Sequence, residues 1–225
     1  MADNSHVLLA LDTSTESAGL AIYDGARISE LVWNAGRNQT LTLLGQLTHL
    51  LEINGRELDE IGAIAVATGP GTFNGLRVGM STAKGLAYGR DIPLLGVDTL
   101  EITAYPHRSS SRPVRAFVPA GRGRTVFSDY RKRNNRWVRD GEMHNRPFPE
   151  LASGIAELTL LTGEAPSGYA LEDLESDLVE IPRLALRSRR PGCLAEIAWR
   201  RWMAGERDDI AGMEPAYVHS ARGTS

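Results

Sequence analysis

Residues 68–89, TGPGTFNGLRVGMSTAKGLAYG, constrain the fold of this chain most strongly. Gly75, Gly79, Ala83 and Ala87 follow one another at four-residue steps, so along a helix they form one strip of minimal side chains. Two glycines inside a helix cost about 1–2 kcal/mol relative to alanine, which indicates a helix whose backbone is approached closely. The spacing leaves two interpretations open: packing against the chain's own sheet, or an interface with another subunit.

The first glycines of this segment do not match a known nucleotide-binding loop. A Walker A loop needs Gly-Lys followed by Ser or Thr, and the Rossmann pattern needs a glycine where Asn74 stands. Pro70 also removes a backbone N–H that could bind an anion. Gly71 and Thr72 precede the helix, where an anion at the helix N-terminus and a side-chain cap from Thr72 are both consistent with the pattern.

The hydrophobic pattern predicts a mixed α/β or α+β protein. Three strands with an Asp-Gly hairpin signal open the chain, and a leucine-rich helix follows, with Leu44, Leu47 and Leu51 on its apolar face. The predicted strands are 7–12, 18–24, 27–33, 61–69, 93–97 and 159–163, with three more in 114–142; the predicted helices are 40–55, 73–89, one from 98, 149–158 and 193–206.

The character of the sequence changes at the linker-like SSSRP, residues 109–113. This change predicts two lobes, an N-terminal lobe of residues 1–107 with the glycine-rich motif and a smaller C-terminal lobe of residues 108–225.

Composition excludes several classes of protein. Hydrophobic residues make up 42% and charged residues 24% of the 225 residues, which is typical of a soluble globular protein. No run approaches the roughly 18 apolar residues of a membrane span, and the first residues lack the basic and apolar regions of a signal peptide. Cys193 is alone and cannot form an internal disulfide, so we expect a cytoplasmic protein with no membrane contact.

Charge is distributed unevenly along the chain. The net charge is −3, yet residues 108–139 hold 10 basic and 1 acidic side chains. Arg131, Lys132 and Arg133 are three consecutive basic residues within this segment. A basic patch on an acidic protein indicates contact with an anionic partner supplied by a complex, and a solvated arginine-rich hairpin is an equally weighted interpretation.

The residues provide little evidence of a catalytic centre. There is no G-x-S-x-G elbow, and no two of the five histidines have the H-x-x-x-H spacing of a metal site. Asp12, followed by Thr13 at the end of the first strand, is the best candidate for a phosphate or metal ligand. An aspartate that accepts hydrogen bonds from turn amides has the same pattern.

Two strings together resemble the TsaB (YeaZ) family of bacterial tRNA threonylcarbamoyladenosine biosynthesis proteins. They are LLALDTSTESAGLAIYDG and ATGPGTFNGLRVGMSTAKGLAYGRDIPLLGVDTL, and the resemblance covers residues 7–105. It implies an ASKHA (actin/Hsp70/sugar-kinase-like, ribonuclease H-like) fold, in which two related lobes hold mixed β-sheets flanked by helices. Three stretches depart from the family pattern, namely residues 38–40, Asn74 and the turn in 118–127.

The resemblance implies a non-catalytic scaffold subunit in synthesis of the N6-threonylcarbamoyl group on adenosine 37 of tRNA. Catalysis would belong to a homologous TsaD-type subunit, which carries the H-x-x-x-H pair that this chain lacks. The implied partners are that subunit in a heterodimer, a TsaE-type ATPase, a second copy in isolation, and tRNA through the complex. No cofactor is expected for this chain, because ATP and the divalent metal would belong to the partners.

Two rival functions stay open at this point. One is an independent ATP-using enzyme of the same fold, with Asp12 and Thr13 as ligands. The other is a peptidase, since older annotations called the group glycoproteases, although no peptidase site is evident.

The resemblance favours the interface interpretation of the small-residue strip. The expected partner surface combines the helix at 73–88 with the helix at 40–54, and Gly79→Leu is expected to abolish partner association while the monomer stays folded. Arg131, Lys132 and Arg133 are the expected tRNA contacts. The residues expected at the partner surface or in the family motif are Gly69, Gly71, Thr72, Phe73, Gly75, Leu76, Arg77, Gly79, Met80, Ala83, Ala87, Leu44 and Leu47.

Overall fold

The computed structural model describes residues 7–36 and 38–216, in two units. The first unit runs to Asp98 and includes Arg190–Pro215, and the second contains Thr99–Arg189. The strands are β1 (Leu8–Asp12), β2 (Ser17–Tyr23), β3 (Ile28–Asn34), β4 (Ala63–Gly69), β5 (Leu94–Asp98), β6 (Val114–Pro119), β7 (Arg124–Arg133), β8 (Arg136–Pro147), β9 (Thr159–Gly163) and β10 (Val179–Glu180). The helices are α1 (Gln39–Ile53), α2 (Phe73–Arg90), α3 (Thr99–Ala104), α4 (Leu184–Arg187) and α5 (Pro191–Met203).

The first unit is built on a five-stranded mixed sheet with strand order β3-β2-β1-β4-β5. β1, β2 and β3 pair antiparallel, whereas β4 and β5 run parallel to β1. Alternate β1 residues point to opposite faces, and Leu9 and Leu11 belong to the core that α1 and α2 complete with Leu43, Leu47 and Met80. The central strands β1 and β4 are almost entirely apolar because both faces of the sheet are covered.

Helix α5 covers the opposite face of the same sheet. Its Pro191 packs on Gly19 of β2, where a β-carbon would approach the proline ring to 2.9 Å. Trp199 lies against Tyr23, with ring centroids 5.0 Å apart, and against Trp202. The other buried apolar side chains of α5 are Leu194, Ala195, Ile197 and Ala198.

The second unit repeats the strand topology of the first. Read from one edge, its sheet has the order β8-β7-β6-β9-β10, with β6, β7 and β8 antiparallel and with β9 and β10 parallel to β6. The repeat is reduced, because short 3-10 turns at Phe148–Glu150 and Leu171–Leu174 occupy the places that α1 and α2 have in the first unit. Phe117, Phe148 and Leu161 are central to its core.

The predicted fold class is confirmed, since both units are mixed five-stranded sheets with helices packed on them. The nine predicted strands are present, and so are the helices at 40–55, 73–89 and 193–206, with shifted ends. No helix among the described residues has the length and apolarity needed to cross a bilayer.

The predicted helix at 149–158 is wrong, because only the 3-10 turn Phe148–Glu150 forms there. Arg115 explains the difference. Its guanidinium donates to the carbonyl oxygens of Leu151 and Ser153 at 2.8 and 2.9 Å, and Gly154 has a positive φ of 76° that ends any helix.

The two units differ from the predicted lobes 1–107 and 108–225. The boundary lies at Asp98 and Thr99, and the segment that contains α5 belongs to the first unit. The prediction of two consecutive lobes did not include the return of the chain to the first unit. Helix α5 buries its apolar face on β1 and β2, which are far away in the sequence.

Candidate functional site

The turn after β1 and the N-terminus of α2 form one packed structure in the first unit. Asp12 accepts hydrogen bonds at Oδ1 from the Ser14 N–H (2.9 Å) and the Ser14 hydroxyl (2.6 Å). The Ser14 carbonyl accepts the Thr72 N–H at 2.7 Å, and the Thr13 hydroxyl donates to the Gly75 carbonyl at 2.6 Å. The turn residues Asp12, Thr13 and Ser14 are buried. The start of α2 is therefore tied directly to the turn.

The glycines of the motif allow this close approach. A β-carbon on Gly71 would lie 2.2 Å from the Ser14 carbonyl oxygen, and one on Gly75 would lie 2.0 Å from the Thr13 carbonyl oxygen. On Gly79 it would lie 2.3 Å from the Thr13 hydroxyl oxygen. Gly69 also has a φ of 113°, a backbone conformation that residues other than glycine rarely adopt.

The small-residue strip of α2 therefore packs against the chain itself. Gly75, Gly79, Ala83 and Ala87 are all buried within the first unit. Of the two interpretations that the spacing left open, the structure shows packing against the chain's own turn and sheet. Four further residues expected at the partner surface or in the family motif are also buried, namely Gly69, Leu76, Met80 and Leu47.

Other expected surface residues are exposed on the outer sides of α1 and α2. Leu44 is 58% exposed and Phe73 is 52% exposed, and the Arg77 guanidinium lies 3.8 Å from the centre of the Phe73 ring. The sequence interpretation missed Leu41, which is 83% exposed, and Tyr88, which is 82% exposed. The signal was available in the helical periodicity, because these side chains fall outside the buried stripes.

A groove of about 690 Å³ lies between the C-terminal half of α1, the 3-10 turn Leu58–Glu60 and α2. Its apolar wall is formed by Leu44, Leu47, Leu51, Leu58 and Leu86. We call the groove and the exposed Leu41, Leu44, Phe73 and Tyr88 the outer helical face.

A charged rim borders this groove. Arg56 donates to the Glu60 carboxylate at 2.8 Å, and Glu60 also accepts the Glu57 N–H at 2.7 Å. The backbone hydrogen bond from Glu57 and the interaction with Arg56 lower the pKa of Glu60 below its ordinary value. Charged side chains therefore border the apolar wall of the groove.

The geometry around Asp12 favours a structural role for this carboxylate. One of its oxygens serves Ser14, and the Thr72 N–H at the start of α2 is already bonded to the turn. Thr72 stands at the N-cap of α2, but its side chain makes no capping hydrogen bond. No group of three His, Cys, Asp or Glu side chains suited to a metal ion occurs within the described residues.

The C-terminal part of the basic segment lies in the hairpin of β7 and β8 in the second unit. Arg131 contacts the carboxylates of Asp140 and Glu157, and Arg133 contacts Asp140 as well. Lys132 is exposed on the neighbouring position. Of the three expected tRNA contacts, Arg131 is thus neutralised within the chain.

Comparison with known proteins gives consistent matches. The family model described as TsaD, tRNA N6-adenosine threonylcarbamoyltransferase, matches residues 34–154, more than half of the chain. The chain is 31% identical over 130 residues to the tRNA threonylcarbamoyladenosine biosynthesis protein TsaB of Escherichia coli K12, which is 57% of this chain and 56% of that protein. It is 26% identical over 220 residues to TsaB of Bacillus subtilis 168, covering 95% of this chain and 94% of that protein.

The solved structure of YeaZ from Pseudomonas aeruginosa superposes with a TM-score of 0.76 at 25% identity, covering 95% of this chain and all of that one. In the E. coli relative, by contrast, the match spans only about half of the protein's length. The two mixed sheets and these matches fit the ASKHA-like fold. These matches in sequence and structure show that the chain belongs to the TsaB (YeaZ) family.

Proposed function

We propose that this chain is an accessory subunit in the biosynthesis of threonylcarbamoyladenosine in tRNA, and that it docks through its outer helical face on a TsaD-type catalytic subunit. The observation that carries the proposal is the apolar character of that face. Leu41, Leu44, Phe73 and Tyr88 are large side chains of α1 and α2 that are more than half exposed, and Leu44 also lines the leucine-rich groove. Apolar surface of this kind is typical of protein–protein interaction sites.

The proposed role as an accessory subunit is supported by the chemistry of the buried turn. Asp12 and Thr13 bond to the turn and to α2, and no metal-ligand cluster occurs in residues 7–36 and 38–216. Under this proposal, ATP and the divalent metal are handled by the TsaD-type subunit and a TsaE-type ATPase. The chain alone would form a homodimer through the same face and would meet tRNA in the cytoplasm only through the complex.

Association with a TsaD-type subunit tests the proposal. A size-exclusion experiment with the purified pair is expected to give a heterodimer for the wild type and separate peaks for Leu44→Asp and Phe73→Asp. Leu184→Asp is a matched control, because Leu184 is 66% exposed on α4 of the second unit. Heterodimer formation by both Asp variants would contradict the assignment of this face.

Nucleotide binding distinguishes the proposal from an independent ATP-using enzyme. Calorimetric titration of the isolated chain with Mg-ATP is expected to give no saturable heat. Tight binding that is lost in Asp12→Asn would instead favour the enzyme. A peptidase has no specific structural support, and incubation with denatured protein is expected to leave the substrate uncleaved.

A further inference from the structure

We propose that the tip of the β7–β8 hairpin is a contact site for the phosphate backbone of tRNA, formed by Lys132, Arg133 and Arg136. This inference rests on the proposed function for the identity of the RNA. It concerns a different surface from the outer helical face and has a different readout.

The backbone of the tip holds the cations close together. Only Asn134 and Asn135 connect the two strands, and both have left-handed φ angles of 51° and 61°, as in a type I′ turn. In the register that follows, Arg133 faces Arg136 directly across the ribbon. Like charges at directly opposite positions destabilise a strand pair, so folding alone does not favour this arrangement.

Two carboxylates offset part of the positive charge of the hairpin. Asp140 serves both Arg131 and Arg133, and Glu157 serves Arg131. Lys132 and Arg136 are exposed, and neither forms an ion pair with a carboxylate in the part of the chain that the structure describes. Arg133 shares its carboxylate and its side chain is 63% exposed. The tip therefore carries net positive charge that a polyanion would neutralise.

An aromatic contact between β7 and β8 also stabilises the hairpin next to its tip. Trp137, which pairs with Lys132 across the ribbon, stacks on Tyr130 with ring centroids 6.1 Å apart and an interplanar angle of 16°. The Tyr130 hydroxyl accepts a hydrogen bond from Arg139 at 3.1 Å. A hairpin that is already ordered by such contacts loses little conformational entropy when its cations bind phosphates.

A chain with a net charge of −3 that holds such a tip fits local contact with RNA rather than free-standing, high-affinity binding. Exposed guanidinium groups suit phosphate, because their N–H donors match its oxygens in pairs. An acidic protein segment is the other chemical class that such a tip would attract, and the test below separates the two.

The test uses the triple variant Lys132→Gln/Arg133→Gln/Arg136→Gln. Arg27→Gln/Arg183→Gln/Arg207→Gln is the control, because it removes the same charge from three exposed arginines elsewhere. Both proteins are assembled with the TsaD-type subunit, and binding of a labelled tRNA transcript is followed by anisotropy over a series of salt concentrations. The isolated chains are titrated in parallel at low salt.

The tip variant is expected to bind tRNA more weakly and to show a salt slope of log K smaller by about 2 to 3, because three phosphate contacts are lost. The control is expected to keep the wild-type slope. A wild-type slope and affinity in the tip variant, in both the complex and the isolated chain, would overturn the proposal. A tip variant that fails to assemble but binds tRNA normally would also overturn it and would assign the tip to a protein partner. Failure of the wild-type chain to assemble with the TsaD-type subunit would count against the proposed function, and the low-salt titration of the isolated chain would still decide the role of the tip.

Discussion

The carbonyl oxygen of Thr13 lies 2.0 Å from the place where a β-carbon on Gly75 would be. This contact joins the turn after β1 to the first turn of α2, and the Thr13 hydroxyl strengthens it by donating to the Gly75 carbonyl at 2.6 Å. The glycine is required because the neighbouring atom belongs to the backbone, which cannot rotate away as a side chain would. The glycine motif is therefore explained by close packing within the chain.

Gly75→Ala is expected to destabilise the first unit, while Gly85→Ala is expected to stabilise it. The added methyl group at Gly75 forces a backbone shift that costs about 1–3 kcal/mol or more. Gly85 is exposed in the same helix with nothing within 4 Å of the added carbon, so alanine there gains roughly 0.5–1 kcal/mol. Urea unfolding monitored by circular dichroism measures both changes, and equal effects of the two substitutions would refute the packing argument.

Gly79→Leu is expected to unfold the first unit, in contrast to the sequence-based expectation that it would leave the monomer folded. A β-carbon at Gly79 would lie 2.3 Å from the Thr13 hydroxyl oxygen, and the rest of a leucine side chain has no space in the buried strip. The expected result is loss of the cooperative thermal transition. A variant that kept the wild-type melting temperature would show that the turn moves aside easily.

Arg115→Met is expected to destabilise the second unit by about 3–5 kcal/mol, since it leaves a partly buried carboxylate and two carbonyl oxygens without their donor. Arg115 is 7% exposed at its side chain and binds both Asp129 oxygens at 2.7 and 2.9 Å. Arg146→Met is the matched control, because its pair with Glu150 is about half exposed and worth at most about 1 kcal/mol. The two midpoints of urea unfolding are compared, and a small effect of Arg115→Met would contradict the proposed clamp on residues 151–153.

Stability is expected to fall below about pH 6.5 in a way that depends on His107. Burial lowers the pKa of His107 below its ordinary value of 6.5, although a hydrogen bond with the Leu186 backbone opposes the shift. As the pH decreases through 6.5, the unfolded chain therefore takes up the proton first and the folded state loses stability, until the lower folded pKa is reached.

Comparison with His107→Gln isolates this contribution from that of the other histidines. The free energy of unfolding, measured at several pH values between about 5 and 8, is expected to depend less steeply on pH in the variant. Parallel curves for the two proteins would exclude His107 as a source of the pH dependence.

Local patterns in the sequence were sufficient for most of the secondary structure. Alternation, apolar runs and leucine spacing located nine of the ten strands as well as α1 and α2, whereas the two-residue β10 was not predicted. The leucines show the limit of this method. Leu44 was predicted on the apolar face of α1 but is 58% exposed, whereas Leu43 and Leu50 are fully buried. Because α1 carries leucines on more than one side, its periodicity does not reveal which of them face the sheet.

The parts that could not be predicted depend on contacts between residues far apart in the chain. Thr13 and Gly75 are 62 positions apart, so periodicity could not tell a turn of the same chain from a second subunit. The hairpin cations posed the same difficulty, because Glu157 neutralises Arg131 from a different segment. Arg115 is a further example, because its hydrogen bonds to the carbonyl oxygens of Leu151 and Ser153 hold this segment out of the helix that the local pattern at 149–158 favours.

The position of α5 also has a consequence for the order of events during synthesis. The strands β1 and β2 leave the ribosome early, but α5, which packs on Gly19 and Tyr23, follows only after residues 99–189 of the second unit. Until α5 has been synthesised, one face of the first sheet stays uncovered, whereas the second unit has all its own strands and can complete its folding first.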